Sequence, residues 1–122
     1  MPMSDNLTLS GIRVLDLTRS IAGPWATRML ADAGAEVIKV EPLMGDFVRH
    51  LPAYDGEFSS GYFRQANSGK RSVCIDLHMP AGIDLVMQLI PHADVVMHNM
   101  RPNAAKRLNI VPERVQDRKS VV

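Results

Sequence analysis

Ile12-Arg13-Val14-Leu15-Asp16-Leu17, then Ala22-Gly23-Pro24, then Gly34 and Glu36-Val37-Ile38-Lys39-Val40, is the stretch that decides the fold. The first run alternates and then turns apolar, as a strand entering a buried sheet does. Gly23-Pro24 breaks the chain, and a proline just inside a helix start is harmless because its missing N–H would have no helical partner. From Trp25 onward Met29, Leu30 and Ala33 recur at helical spacing, and Gly34 stands where a C-terminal cap wants positive φ. The run 36–40 is β-branched and alternating, hence a second strand. Strand, turn, helix, glycine and strand in about 30 residues make a βαβ unit, whose strands are expected parallel with a right-handed crossover.

Outward from this unit the alternation continues. Residues 1–10 read as a loose polar lead-in. The segment 42–70 carries Pro42, Gly45, Pro52, Gly56, Gly61 and Gly69 with little periodicity. It reads as an irregular surface stretch with one helical turn near Ser60–Gln65, and a loop of that length is commonly functional. Ser72 to Leu77 reads as a third strand. Pro80 opens a helix to Ile90 with Ile83, Val86, Met87 and Ile90 on one face. Asp94 to Met97 is a fourth strand, Pro102 opens a short helix to Leu108, and Pro112 to Arg118 makes another. Ser120-Val121-Val122 reads as the start of a fifth strand. The expected class is α/β, a Rossmann-like parallel sheet with helices covering both faces.

Composition limits the function. The chain has 122 residues, net charge +1, 46% hydrophobic and 22% charged residues, which gives no reason to expect a nucleic-acid or membrane surface. Leu85 to Ile90 is broken by Gln88, so no run is long enough to span a bilayer. Met1 to Asn6 lacks a basic and then apolar leader, and one cysteine excludes an internal disulfide, which together favour the cytoplasm. The four histidines are scattered without metal-ligand spacing, so no metal site is expected. Cys74 lies mid-strand and is expected buried and inert.

Three strings carry candidate chemistry. Ser20-Ile21-Ala22-Gly23-Pro24 is the turn from first strand to first helix, where open α/β sheets bind ligands and helix N-termini attract phosphate; it also reads as a plain turn. Neither a dinucleotide glycine fingerprint nor a P-loop is present. Asn67-Ser68-Gly69-Lys70-Arg71-Ser72 offers adjacent cations that hold phosphate or simply face solvent. His98-Asn99-Met100-Arg101-Pro102, with Lys106 and Arg107, leaves the fourth strand toward a crevice or caps a helix. Asp16, at the end of the first strand, reads as a structural acceptor for nearby turn amides rather than a catalytic carboxylate. Ser59-Ser60-Gly61 lacks the nucleophile-elbow pattern, so no serine nucleophile is assigned.

In order, Gly11 to Thr18, Ala22-Gly23-Pro24, Leu30 to Pro42, Gly45-Asp46 with Arg49, Tyr62-Phe63, Asn67 to Asp76, Ala93-Asp94-Val95 and Asn99-Met100-Arg101-Pro102 closely resemble the opening of family III CoA-transferases. This is the CaiB/BaiF family, which includes formyl-CoA transferase and alpha-methylacyl-CoA racemase. The resemblance runs from about Leu9 to Val122 and implies that 11–122 is the N-terminal part of a larger, interlocked-dimer fold. It implies CoA transfer between carboxylic acids through an aspartyl intermediate, with acyl-CoA as substrate, a carboxylic acid as partner and no prosthetic group. The nucleophilic aspartate of the family lies beyond the matched part, so no residue here inherits a catalytic role. A racemase relative and a non-catalytic CoA-binding or decayed fragment stay open as alternatives. The residues implied at CoA are Ser20, Ile21 and Ala22 near the thioester end, Ile75 and His78 beside adenine, Asn99 and Met100 on the nucleotide, and Arg107 and Leu108 on the next helix. Ile21 stands where some members carry Gln, Pro42 where some carry Arg, and His78 where Lys is common. These departures make formyl-CoA-type chemistry unexpected and weaken the nucleotide contacts.

Overall fold

The computed structural model describes residues 6–51 and 60–118. Four parallel strands form its sheet: β1 (Arg13–Asp16), β2 (Glu36–Glu41), β3 (Arg71–Cys74) and β4 (Val95–Met97), in the order β3-β2-β1-β4. Among the described residues five α-helices accompany them: α1 (Ala22–Asp32), α2 (Gly61–Asn67), α3 (Pro80–Leu89), α4 (Pro102–Arg107) and α5 (Pro112–Arg118). The class expected from the alternation is the one observed.

The period-2 geometry of strands assigns the two faces. Val14 and Val37 are register partners and pack with Leu30 and Ala31 of α1. Leu15 and Val40 point the other way and join Ile75, Val86, Met87, Ile90 and Ile110 in the larger core under α3. Both faces of the central strands are therefore covered, and Val14 and Leu15 of β1 supply an apolar side chain to each face. The first helix starts at Ala22, three residues before Trp25, and Gly34 takes φ +106 in the chain reversal after α1.

Several expectations need correction. Cys74 is exposed. It lies on β3, whose four residues are all exposed because β3 is an edge strand that no described helix covers. The third strand ends at Cys74, and Ile75 turns into the core with its N–H on Glu41 O at 2.9 Å. The described parts of 42–70, residues 42–51 and 60–70, are more ordered than their glycines and prolines suggest. A 3₁₀ turn (Phe47–His50) is capped by Asp46, and α2 is capped by the Ser60 hydroxyl, which accepts from Phe63 N at 3.2 Å. The lead-in is tied down where described, with Leu9 N bonded to Ala33 O at 2.8 Å. Ser59 and the fifth strand at Ser120–Val122 lie outside the described residues.

Candidate functional site

Strand order locates the site. From β1 the chain steps to β2 and β3, then crosses back over the sheet to β4 on the far side of β1. The loops leaving β1 and β4 thus diverge, and a crevice opens at their carboxyl ends, the switch point at which open α/β sheets bind ligands. A cleft of about 700 Å³ lies there. Its walls carry Arg19, Arg101, Arg107 and His78, and its apolar surface comes from Leu77, Ile83, Met100, Ala104 and Leu108. The three guanidiniums are on exposed residues and have no anionic partner among the described residues. A lining that combines guanidiniums with apolar side chains suits a ligand that carries both phosphates and a less polar arm.

Six of the nine residues singled out at CoA line this cleft: Ser20, His78, Asn99, Met100, Arg107 and Leu108. Ile21 and Ala22 are exposed at the start of α1, outside the lining. The Ile75 side chain lies in the core. Arg19 and Arg101 join the wall without having been singled out as contacts. Their position in the loops that follow β1 and β4 was the available signal, and Arg101 already stood in the quoted string.

The side chain of Asn99 is occupied within the protein. Its Oδ1 accepts from Arg19 N at 3.0 Å and its Nδ2 donates to Arg19 O at 2.8 Å. This pair of bonds ties the loop after β4 to the loop after β1. Met100 N donates to His98 Nδ1 at 3.1 Å, so His98 shapes the same turn. His78 N donates to Asp76 Oδ1 at 3.0 Å, an Asx turn, and the exposed imidazole sets its Nδ1 3.2 Å from the same oxygen.

Under α1 lies an ionic layer that the sequence does not reveal. Asp16, Lys39 and Glu41 share the strand face of Val14 and Val37, and all are buried. Asp16 accepts from Thr18 N (2.9 Å), Thr18 Oγ1 (2.5 Å), Thr27 Oγ1 (2.7 Å) and Lys70 Nζ (2.9 Å). Its reading as a structural acceptor is the observed arrangement. Lys70 fits neither of its two readings. Its ammonium is buried, neither in solvent nor in the cleft, and donates to Asp16, to Pro24 O (2.9 Å) and to Asn67 Oδ1 (2.8 Å). Burial pushes its pKa down, and the neighbouring Asp16 partly opposes that. Lys39 pairs with Asp46 at 3.0 Å and donates to Thr18 O at 2.9 Å.

Glu41 closes the layer. Arg49 donates to it through Nε and Nη2, both at 2.7 Å, and Asp46 N and the Ser72 hydroxyl complete its shell. Burial alone would raise its pKa, but these donors overcome that and bring it down to about 2. The same bonds raise the pKa of Arg49, whose guanidinium also stacks 3.7 Å from the Phe63 ring centroid. Among the described residues no three His, Cys, Asp or Glu side chains gather as metal ligands, and no helix is long and apolar enough to cross a membrane.

Comparison with known proteins gives these findings. The family model described as CoA-transferase family III matches residues 9–121. The chain is 50% identical over 100 residues to a succinate–glutarate CoA-transferase of Agrobacterium fabrum, covering 76% of this chain and 25% of that protein. It is 40% identical over 105 residues to a succinyl-CoA:mesaconate CoA-transferase of Haloarcula hispanica, covering 83% and 26%. Among solved structures, a CaiB/BaiF family protein from Brucella suis superposes with a TM-score of 0.86 at 36% identity, covering 93% of this chain and 31% of that one. The chain therefore spans about a quarter of the length of the curated relatives it matches.

Proposed function

The chain belongs to CoA-transferase family III, and from that premise we propose that it forms the CoA-binding part of a cytoplasmic enzyme that moves CoA between carboxylic acids. The observation that carries this reading is the cleft at the β1/β4 switch point, whose lining combines three arginines with apolar side chains and has no described acid paired to those arginines. Arg107, at the end of α4, is assigned to a phosphate of CoA, and Met100 and Leu108 to the apolar contacts. The part of Asn99 is to hold the loop that faces the thioester end, since its amide is already bonded.

In this reading the nucleophile is an aspartate on a part of the family's chain that is not matched here. Its carboxylate attacks the thioester carbonyl of acyl-CoA, forming a mixed anhydride and expelling the CoA thiolate. The thiolate then attacks the aspartyl carbonyl, releasing the donor acid and leaving an aspartyl-CoA thioester. The acceptor carboxylate repeats these two steps in reverse and leaves as the new acyl-CoA. CoA is exchanged as substrate, and the scheme needs no prosthetic group. The relatives named for succinate, glutarate and mesaconate make short dicarboxylates the first acids to assay. A homodimer is the proposed assembly of the whole protein, and the uncovered β3 together with exposed Met44, Phe47 and Tyr62 supports a covered role for that side.

The test is calorimetric CoA binding to the protein and to its Arg107→Ala variant. A charge-assisted bond to phosphate is worth about 1.5 kcal/mol or more, so the variant is expected to bind about tenfold more weakly. A folded protein that binds no CoA, or a variant that binds equally well, overturns the assignment.

A further inference from the structure

The loop that leaves β1 is held residue by residue. Thr18 gives its N–H and hydroxyl to Asp16 and receives Lys39 Nζ on its carbonyl. Arg19 is clamped through both main-chain groups by Asn99. Ser20 is the unusual member, with φ +74. A side-chain-bearing residue enters the left-handed region only at a cost, and it stays there when its surroundings over-determine it. Its N–H faces both carboxylate oxygens of Asp46, at 3.3 and 3.4 Å.

Asp46 is itself immobilised. It is 1% exposed. Its N–H donates to Glu41 Oε1 at 2.9 Å, which anchors it to the end of β2. Its carboxylate takes Lys39 Nζ at 3.0 Å and Val48 N at 3.3 Å. A buried ion pair of this kind is a poor source of stability, because removing two charges from water cancels most of their attraction. What the pair does hold is geometry, since Lys39 grips Thr18 O while its partner Asp46 grips Ser20 N. The two charges bracket the turn whose Arg19 and Ser20 line the cleft.

We propose that Asp46, backed by Lys39, is a positioning residue of this site: it locks Ser20 in the left-handed conformation and so sets the β1 side of the cleft. The inference rests on the transferase reading for its catalytic consequence but not for its structural one. It touches no reacting atom. It acts by fixing where the main chain of residues 19–21 stands relative to a bound acyl-CoA.

The test is a double-mutant cycle in the intact enzyme with Asp46→Ala and Ser20→Gly. Glycine adopts positive φ without help, so it removes the need for the carboxylate. The cycle is read in kcat/KM for CoA exchange, well below every unfolding midpoint, and separately in the thermal midpoints. Asp46→Ala is expected to lower kcat/KM about tenfold when Ser20 is present and less than about threefold in the Ser20→Gly background, with a matching coupling in the midpoints. Should Asp46→Ala fail to fold, Asp46→Glu keeps a charge for Lys39, displaces the acceptor by one methylene, and goes through the same cycle. Equal losses in both backgrounds, in either readout, overturn the proposal, and a purely structural Asp46 would move the midpoints alone. A wild-type enzyme without exchange activity refutes the transferase reading instead, and the thermal cycle then decides the positioning claim.

Discussion

Replacing Glu41 by Gln tests whether the buried ionic layer stabilises the fold through charge. The Glu41 carboxylate accepts four hydrogen bonds, two of them from the Arg49 fork at 2.7 Å. Its pKa falls from an ordinary 4.5 to about 2. At ~1.4 kcal/mol per pH unit, that gap corresponds to about 3 kcal/mol. The Arg49 side chain is 31% exposed, so solvent screening brings the figure to about 2 kcal/mol. Because the folded value lies below the unfolded one, this stability is fully present above pH 4.5 and is lost as pH falls toward 2. The Gln variant removes the charge and turns one acceptor into a donor facing Arg49. It is therefore expected to lose about 2–4 kcal/mol at pH 6, including a mispaired amide. The assay is urea denaturation of both proteins at pH 6 and pH 3. The deficit of the variant should shrink at pH 3, where Glu41 of the unfolded chain has taken up a proton. An identical deficit at the two pH values would refute the reasoning.

Three further perturbations address other parts of the layer and the fold. Lys70→Met leaves the fully buried Asp16 without its cation and should destabilise the protein by about 3–5 kcal/mol in chemical denaturation. Substituting Lys70 and Asp16 together by apolar residues should cost less than Lys70→Met alone, since no charge is then stranded. Gly82→Ala places a Cβ 1.9 Å from Asp76 O, a backbone atom, so α3 has to shift away from the end of β3. A loss of about 2–3 kcal/mol by thermal unfolding is expected, against about a 1 kcal/mol gain were Gly82 an ordinary helix position.

Much of the architecture was legible in local pattern. The βαβ unit, the helices opened by Pro80, Pro102 and Pro112, and the α/β class follow from periodicity, proline position and cap residues within a few positions of one another. The cationic string after the fourth strand was likewise visible, and Arg107, Met100 and Asn99 line the cleft. Cys74 was misjudged because an apolar run says that a strand belongs to a sheet but not whether it ends at the edge. Lys70 was misjudged because its environment comes from Asp16, 54 residues earlier.

The sequence by itself determined the elements, their order and the chemical types available at each strand end, because those depend on neighbours a few residues apart. Tertiary structure alone decided that β4 lies beside β1. That adjacency opens the cleft, and it lets the Asn99 amide bond the main chain of Arg19 across 80 residues. It also decided which charges are solvated and which are buried. Arg19, Arg101 and Arg107 face the cleft, while Lys39, Lys70, Asp16 and Asp46 are withdrawn from water and paired. The reason is physical: the energy of a charge depends on the dielectric and the partners around it, and strand order sets both.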